Sequence, residues 1–522
     1  MNEHAPASPF TTPTDTQPIL LSAIAELVNA KHAGDDVAVT GVVSATTAVT
    51  PGTLFVGVPG ARFHGASFAD KARDAGAVAL LTGELGADIA AEAGLPTLVV
   101  GDPREVIADV AKTVYGTEPD SPALIGVTGT DGKTTTTYLL HALLDALDIP
   151  AALSGTVERR IGDRSIATRL SGRLTTPQVD YLHQLVAAMR EQGTEVAAIE
   201  VSAQGIERGR IEGLCFAIAI FTNLTQDHLD DYGSMENNFA AKRPLFTPEH
   251  ARRGVIAVND EWGQRLAAEA EIPVATVSHD PEIDADWQVT TRELALDRTE
   301  VKLRHRDGRT LTTSVSQPGW FIAFDLALAI VALHEHGVEL ERLDAALQAT
   351  DGLQIELPGR LDVVNPSGPG PRILVDYGHT PASFRTVLTT LRRFTAGRLF
   401  MVFGADGDRD PSKRPDMARS AAIADTIIVT DYNPRFEDPD AIRRTLVETL
   451  HAEFPDREVY EIADSATGIA KAVSLANEGD LIFVGGHGHR RDVEVRGRLI
   501  PYSVKDAARA ALAMHGWDPT SE

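Results

Sequence analysis

One segment constrains this chain more than any other. Leu124-Ile-Gly-Val-Thr-Gly-Thr-Asp-Gly-Lys-Thr-Thr-Thr-Thr137 passes from apolar residues through a glycine-rich turn to a lysine and four threonines. The pattern predicts a strand, a tight loop and a helix start, which together make a phosphate cradle. Backbone N–H groups and the helix N-terminus would receive an anion there. Gly129, Thr130, Asp131, Gly132 and Thr135 form the cradle, Lys133 reaches the terminal phosphates, and Thr134 can ligate magnesium. The segment therefore points to an α/β domain that binds a nucleoside triphosphate. The spacing departs from a strict Walker A motif, which would place glycine where Val127 stands. A glycine-rich turn without a ligand is the bland alternative, and the adjoining Gly-Lys-Thr weighs against it.

At 522 residues the chain should hold about three domains, at roughly 150 residues each. With 48 Lys and Arg against 74 Asp and Glu, the formal charge of −26 argues against a nucleic-acid partner. Cys215 is the single cysteine. It excludes an internal disulfide framework and a cysteine-rich zinc site, and fits a reducing compartment. The first residues are polar and rich in Pro and Thr, with no basic region ahead of an apolar core, so no signal peptide is read. The apolar stretch Trp320–Leu333 is cut by Asp325 and is too short to span a bilayer. A cytoplasmic monomer without membrane insertion is expected.

Strand-like runs alternate with amphipathic helical segments throughout, the mark of α/β architecture. Four parts are read: a disordered arm at 1–17, an α/β block at 18–120, a central block at 121–357 that carries the phosphate loop, and a third block at 358–522. Glu200, Ser202, Asn223, Asn259, Asp376 and Asn433 fall at or just past the ends of apolar runs. Ligands of open parallel sheets bind at those ends. Glu200 closes a nearly apolar run, where a carboxylate needs a partner. A salt bridge would satisfy it, and so would magnesium beside a nucleotide. His228 stands among Asn223, Asp227 and Asp230, and could bind a second metal or orient a substrate. Lys242 alone reads as a solvated helix residue.

In this order the residues resemble the Mur ligase family, most closely its MurE type, the UDP-N-acetylmuramoyl-tripeptide synthetases. The motifs are Gly126–Thr134, Leu174-Thr-Thr-Pro177, Glu200-Val-Ser202, Phe221-Thr-Asn-Leu224 with Asp227-His-Leu-Asp230, Gly233-Ser-Met235 and Ala240-Ala-Lys242. Pro358-Gly-Arg-Leu361, Val375-Asp-Tyr-Gly-His-Thr-Pro381, Gly407-Asp-Arg-Asp410 and Asn433-Pro-Arg435 follow. The resemblance covers the chain from about residue 35.

It implies a central P-loop-type parallel sheet, flanked by an N-terminal UDP-substrate-binding domain and a C-terminal Rossmann-like domain. It also implies ATP, Mg2+ and two substrates, a UDP-linked muramyl peptide and a free amino acid. ATP would convert the peptide's carboxylate to an acyl phosphate, which the amino acid's amine attacks. On this carry-over Lys133, Glu200, His228 and Lys242 are catalytic. Thr134 and Glu200 hold one magnesium, and His228 with a carbamylated Lys242 helps hold a second. Asn223, Asn259, Arg360, Asp376, Tyr377 and His379 join the phosphate loop at ATP. Ser44, Thr46, Thr175, Thr176, Ser202, Arg208 and Arg210 meet the acceptor. Arg409, Asn433, Arg435, Gly486 and Arg490 meet the incoming amino acid.

The chain also departs from the family pattern. Asp131 replaces a usual Asn, Ala203-Gln204 a common Ser-His, and Gln226 a common Arg. Ser44-Ala-Thr-Thr47 and Phe63–Phe68 replace the usual UDP-contact motifs. Diaminopimelate-adding members carry an acid near position 490, where this chain has Arg490. An arginine there would repel a second ammonium group, so an amino acid other than diaminopimelate is expected, with lysine, ornithine, homoserine and glutamate open and Asp431 able to supply the missing negative charge. Two other functions stay open: a Mur-like ligase with a different carboxylate acceptor, and a catalytically silent binding protein.

Overall fold

The computed structural model describes residues 12–60, 63–117, 122–166, 174–226, 229–365 and 370–517, with Leu229 and Asp230 described by backbone alone. The arm residues 1–11, and Asp227 and His228, lie outside the described residues.

Three sheets organise the chain in sequence order. The first has five strands between Lys31 and Val100. Four are parallel, and Lys31–Ala33 runs antiparallel at one edge. The second has eleven strands, and its parallel centre holds β1 (Ala123–Thr128), β2 (Val196–Glu200), β3 (Phe216–Phe221) and β4 (Ala251–Ala257). β1 lies between β2 and β3, so the phosphate loop leaves the middle of the sheet. Antiparallel strands extend both edges. The third sheet has six strands, parallel except at the Asp362–Val363 edge. The α/β class, the central parallel sheet and the Rossmann-like third sheet are as expected.

β1–β4 are almost wholly buried, as parallel strands covered on both faces must be. α1 (Lys133–Ala146) follows the loop and packs against α2 (Trp320–Glu335). α2 buries twelve side chains from Ile322 to Leu333, each large apolar one contributing roughly 1.5–3 kcal/mol. A helix apolar all round is a core helix. One apolar cluster runs from Ile125 on β1 through α2 to Leu374 and Leu481 of the third sheet and to Phe384 on the helix Pro381–Phe394. A second joins the first sheet to Val179 and Ala187 of the central region. Among the described residues, no helix is long and apolar enough to cross a membrane.

Candidate active site

The phosphate loop is built by two glycines in conformations that L side chains avoid. Gly129 has φ of 145° and Gly132 has φ of 86°. A Cβ on Gly129 would lie 2.0 Å from the Thr222 hydroxyl. Gly132 caps α1, directing that helix's N-terminus at the loop. The loop is tied to the end of β3. Thr130 N donates to Asn223 O at 3.0 Å. Asp131 N donates to Asn223 Oδ1 at 3.0 Å, and Asn223 Nδ2 returns a bond to Asp131 O at 3.2 Å. Asn223 thus holds the cradle's backbone in shape. Lys133 Nζ folds over the loop onto Gly129 O at 2.9 Å and Thr130 O at 2.8 Å. Thr135 is buried.

Glu200 ends β2 and is 1% exposed. Thr156 holds its carboxylate, donating from N to Oε1 at 3.0 Å and from Oγ1 to Oε2 at 2.8 Å. Gly155 makes room for it, because a Cβ there would stand 2.1 Å from Oε1. Thr175 and Thr176 gather on the same strand end. Thr176 Oγ1 donates to Glu200 O at 3.0 Å and accepts from Ser202 N at 2.9 Å, with Ser202 Oγ 3.2 Å away. Thr175 Oγ1 lies 3.0 Å from Thr156 Oγ1. Arg210 is buried and donates to Thr176 O at 3.2 Å, whereas Arg208 is exposed. Ser44 Oγ donates to Asp180 Oδ2 at 2.8 Å, which ties the first sheet's loop to the central block. Thr46 begins a single helical turn nearby.

From the third block, Arg360 donates to Thr134 Oγ1 at 3.2 Å and lies over the Tyr377 ring at 4.6 Å. Asp376 is buried and accepts from Leu361 N at 2.8 Å and Gly378 N at 2.6 Å. Burial raises its pKa and Arg360 opposes that rise. His379 Nδ1 lies 3.0 Å from Tyr377 O. Asn259 is turned to its own sheet, where its Oδ1 accepts from Ser278 Oγ at 3.0 Å and His279 N at 2.9 Å. Lys242 is buried and donates to Asn238 Oδ1.

Asn433 and Arg435 hold left-handed conformations, with φ of 39° and 52°. Such strain in non-glycine residues collects at functional loops. Asn433 is fully buried, and its Oδ1 accepts from Glu494 N at 2.9 Å. Arg435 lies 3.6 Å from Asp406, and Arg409 lies 3.7 Å from Asp231 of the central block. Gly486 N donates to Asp376 O at 2.9 Å. Arg490 Nη2 donates to the Tyr377 hydroxyl at 3.4 Å. Asp431 is held by Arg443, which also donates to Glu461 at 3.0 Å. It is therefore committed to an internal ion pair.

Three family models match in chain order: the Mur ligase family catalytic domain over 38–115, the Mur ligase middle domain over 127–333, and the Mur ligase glutamate ligase domain over 359–488. A UDP-N-acetylmuramyl-tripeptide synthetase of Leifsonia xyli is 49% identical over 484 residues, covering 92% of this chain and 93% of the relative. The chain belongs to the Mur ligase family. It is an ATP-dependent amide ligase, as members of this type are. A UDP-N-acetylmuramoyl-L-alanyl-D-glutamate–2,6-diaminopimelate ligase of Streptomyces coelicolor is 40% identical, over 96% of this chain and 99% of its own. A solved structure of a ligase of that name is 25% identical with a TM-score of 0.62, covering 96% of this chain and 100% of its own.

The donor set of this Mur ligase suits magnesium. Among the described residues Glu200 has no cationic ion-pair partner, and Thr134 offers a hydroxyl oxygen. Hard oxygen donors of this kind suit Mg2+ beside phosphate. Two residues escaped the reading of the sequence. Thr156, which clamps Glu200, sits in a turn with no distinctive spacing. His279 follows the strand Val274–Ser278 and packs on Trp320 and Phe324 at 4.7 and 5.3 Å between ring centroids. It ends an apolar run as Asn223 and Asn259 do, and that signal could have found it.

Proposed function

We propose that this Mur ligase joins the amine of a free amino acid to a carboxylate of UDP-N-acetylmuramoyl-L-alanyl-D-glutamate, making the tripeptide precursor of peptidoglycan. The observation carrying this reading is the convergence on Glu200. The acceptor threonine Thr176 bonds to its backbone, Thr156 bonds to its carboxylate, and the nearby phosphate loop receives Arg360 from the third block.

An acceptor carboxylate is a poor electrophile. Its oxygen attacks the γ-phosphorus of ATP, the bond to the β-phosphate oxygen breaks, and ADP leaves. The amine then attacks the acyl carbon, phosphate departs, and the amine gives up a proton. Lys133, Arg360 and the N-terminus of α1 stabilise charge on the transferring phosphoryl group. Thr176, Ser202 and Arg210 orient the acceptor, while Arg409 and Arg435 take the amino acid's carboxylate. Thr134 and Glu200 would hold Mg2+, with His228 and a carbamylated Lys242 at a second ion. The metal supplies charge neutralisation between the phosphates.

The added amino acid is read as one without a distal ammonium group. Arg490 occupies the position of the family's acid, and Asp431 is spent on Arg443. The deciding experiment measures phosphate release from purified enzyme with UDP-muramoyl dipeptide, ATP and a panel of amino acids. Release that depends on both substrates is expected. Turnover with diaminopimelate alone would overturn the reading of the amino acid, and amino-acid-dependent release without any UDP-linked acceptor would overturn that of the acceptor.

A further inference from the structure

α2 is the most apolar helix of the chain, and Asp325 is the single charged residue between Trp320 and Leu333. It is 7% exposed. No ion pair with a lysine, arginine or histidine reaches it among the described residues. Its carboxyl is directed at the start of α1. A Cβ on Gly132 would stand 2.8 Å from Asp325 Oδ1 and 3.0 Å from Oδ2, so the carboxyl packs directly against the Cα of the loop's capping glycine. Thr136, one turn further along α1, presents a buried hydroxyl to it that bonds to nothing else. The charged group acting on it is Asp131, in the loop itself.

This placement gives Gly132 a second reason to be glycine besides its positive φ. It also poses an electrostatic problem. The loop already carries the Asp131 carboxylate, and its ligand is a polyanion. A second ionised carboxylate behind Gly132 would cancel the field of the α1 N-terminus where phosphate must bind.

We propose that Asp325 is a positioning residue of the phosphate loop, acting as an uncharged carboxyl that fixes Gly132 and the first turn of α1. Burial and the nearby Asp131 charge push its carboxyl well above the ordinary 3.8, because a carboxylate without a cation in an apolar site takes up a proton. The proton stays on Asp325 throughout and takes no part in the reaction. The inference rests on the reading that the triphosphate sits in this loop.

The test combines ATP kinetics with thermal melting on the full chain. Asp325→Ala should raise the KM for ATP about tenfold with a smaller change in kcat, and Asp325→Asn, a neutral isostere, should restore most of that loss. Lys133→Ala separates the two readings. If it leaves ATP affinity unchanged, the nucleotide lies elsewhere; if it weakens ATP while Asp325→Ala does not, the positioning role fails. The melting measurement needs no ligand and holds even if the alanine variant fails to fold. A carboxyl whose pKa is raised by folding stabilises fully below its unfolded value, and that stability is lost as pH rises. Asp325→Asn should therefore melt above wild type at pH 8, with the gap narrowing as pH falls toward 4. An asparagine variant as impaired for ATP as the alanine variant would show that a charged carboxylate is required. A melting gap that does not change with pH would show that Asp325 is ionised.

Discussion

Arg360 reaches the hydroxyl of Thr134 at 3.2 Å, although 226 residues separate the two in the chain. Thr134 belongs to the first turn of α1, whereas Arg360 belongs to the loop leading into the third sheet and is backed by the Tyr377 ring at 4.6 Å. The contact brings a third-block cation to the phosphate loop of the central block. It connects the part of the enzyme that activates with the part proposed to deliver the amine.

Replacing Arg360 should therefore damage nucleotide use first. Arg360→Ala is expected to raise the KM for ATP at least tenfold, a loss of about 1.4 kcal/mol, and to lower kcat as well. Arg360→Lys should recover little, because an ammonium keeps the charge but loses the planar stack on Tyr377. Steady-state kinetics with ATP varied would check both, and full recovery by lysine would count against the stacked geometry.

Glu200 is the residue on which the proposed metal chemistry depends most directly. Glu200→Gln keeps the shape and a bond to Thr156 but removes the charge. Activity should fall by about a hundredfold or more, in line with the cost of disrupting a metal's ligand shell. Titration with Mg2+ should show a higher concentration for half-maximal rate. A variant with reduced kcat and an unchanged Mg2+ requirement would assign Glu200 to the acceptor alone.

Much of this site was legible in the sequence because its residues lie at strand ends and in a glycine pattern. The loop from Gly129 to Thr134 has a local physical signature, and so does a carboxylate ending the apolar run at Glu200. Partnerships across long separations were not legible. Nothing local to Asp431 announces that Arg443 will engage it, and nothing in the turn at Thr156 marks it as the clamp on Glu200. Asp325 interrupted an apolar helix in plain view. Its meaning required knowing that the helix packs against α1 and directs that side chain at Gly132. The edge strands of the eleven-stranded sheet were hidden for a related reason, since antiparallel additions are set by which edge a segment meets.

His183 supplies a stability test independent of catalysis. It is fully buried, lies beside Thr117, and has its Nε2 2.9 Å from Glu212 O. Burial lowers its pKa from 6.5 to about 4. The unfolded chain therefore takes up this proton first as pH falls. The stability this confers is complete above 6.5 and is lost between 6.5 and about 4, a loss of about 3 kcal/mol over the window. His183→Gln should unfold more easily at pH 7 but show a shallower loss of stability from pH 7 to 5. Denaturant unfolding at several pH values would check this, and parallel curves for the two proteins would show that His183 titrates alike in the folded and unfolded chain.

Arg490 offers the sharpest test of what the third block accepts. Its guanidinium donates to the Tyr377 hydroxyl at 3.4 Å and lies 5.7 Å from that ring's centre. An incoming ammonium near it would meet a like charge, and Asp431 is paired with Arg443. Arg490→Glu reverses the local charge, so kcat/KM for diaminopimelate should rise at least tenfold relative to that for an amino acid with a neutral side chain. The comparison uses ratios within one variant, so a general loss of activity does not obscure it. Arg443→Ala serves as the counterpart, since it releases Asp431 while leaving Arg490 in place. If that variant gains diaminopimelate use and Arg490→Glu does not, selection lies with Asp431 and its clamp. If neither gains, the third amino acid is chosen by shape rather than by charge.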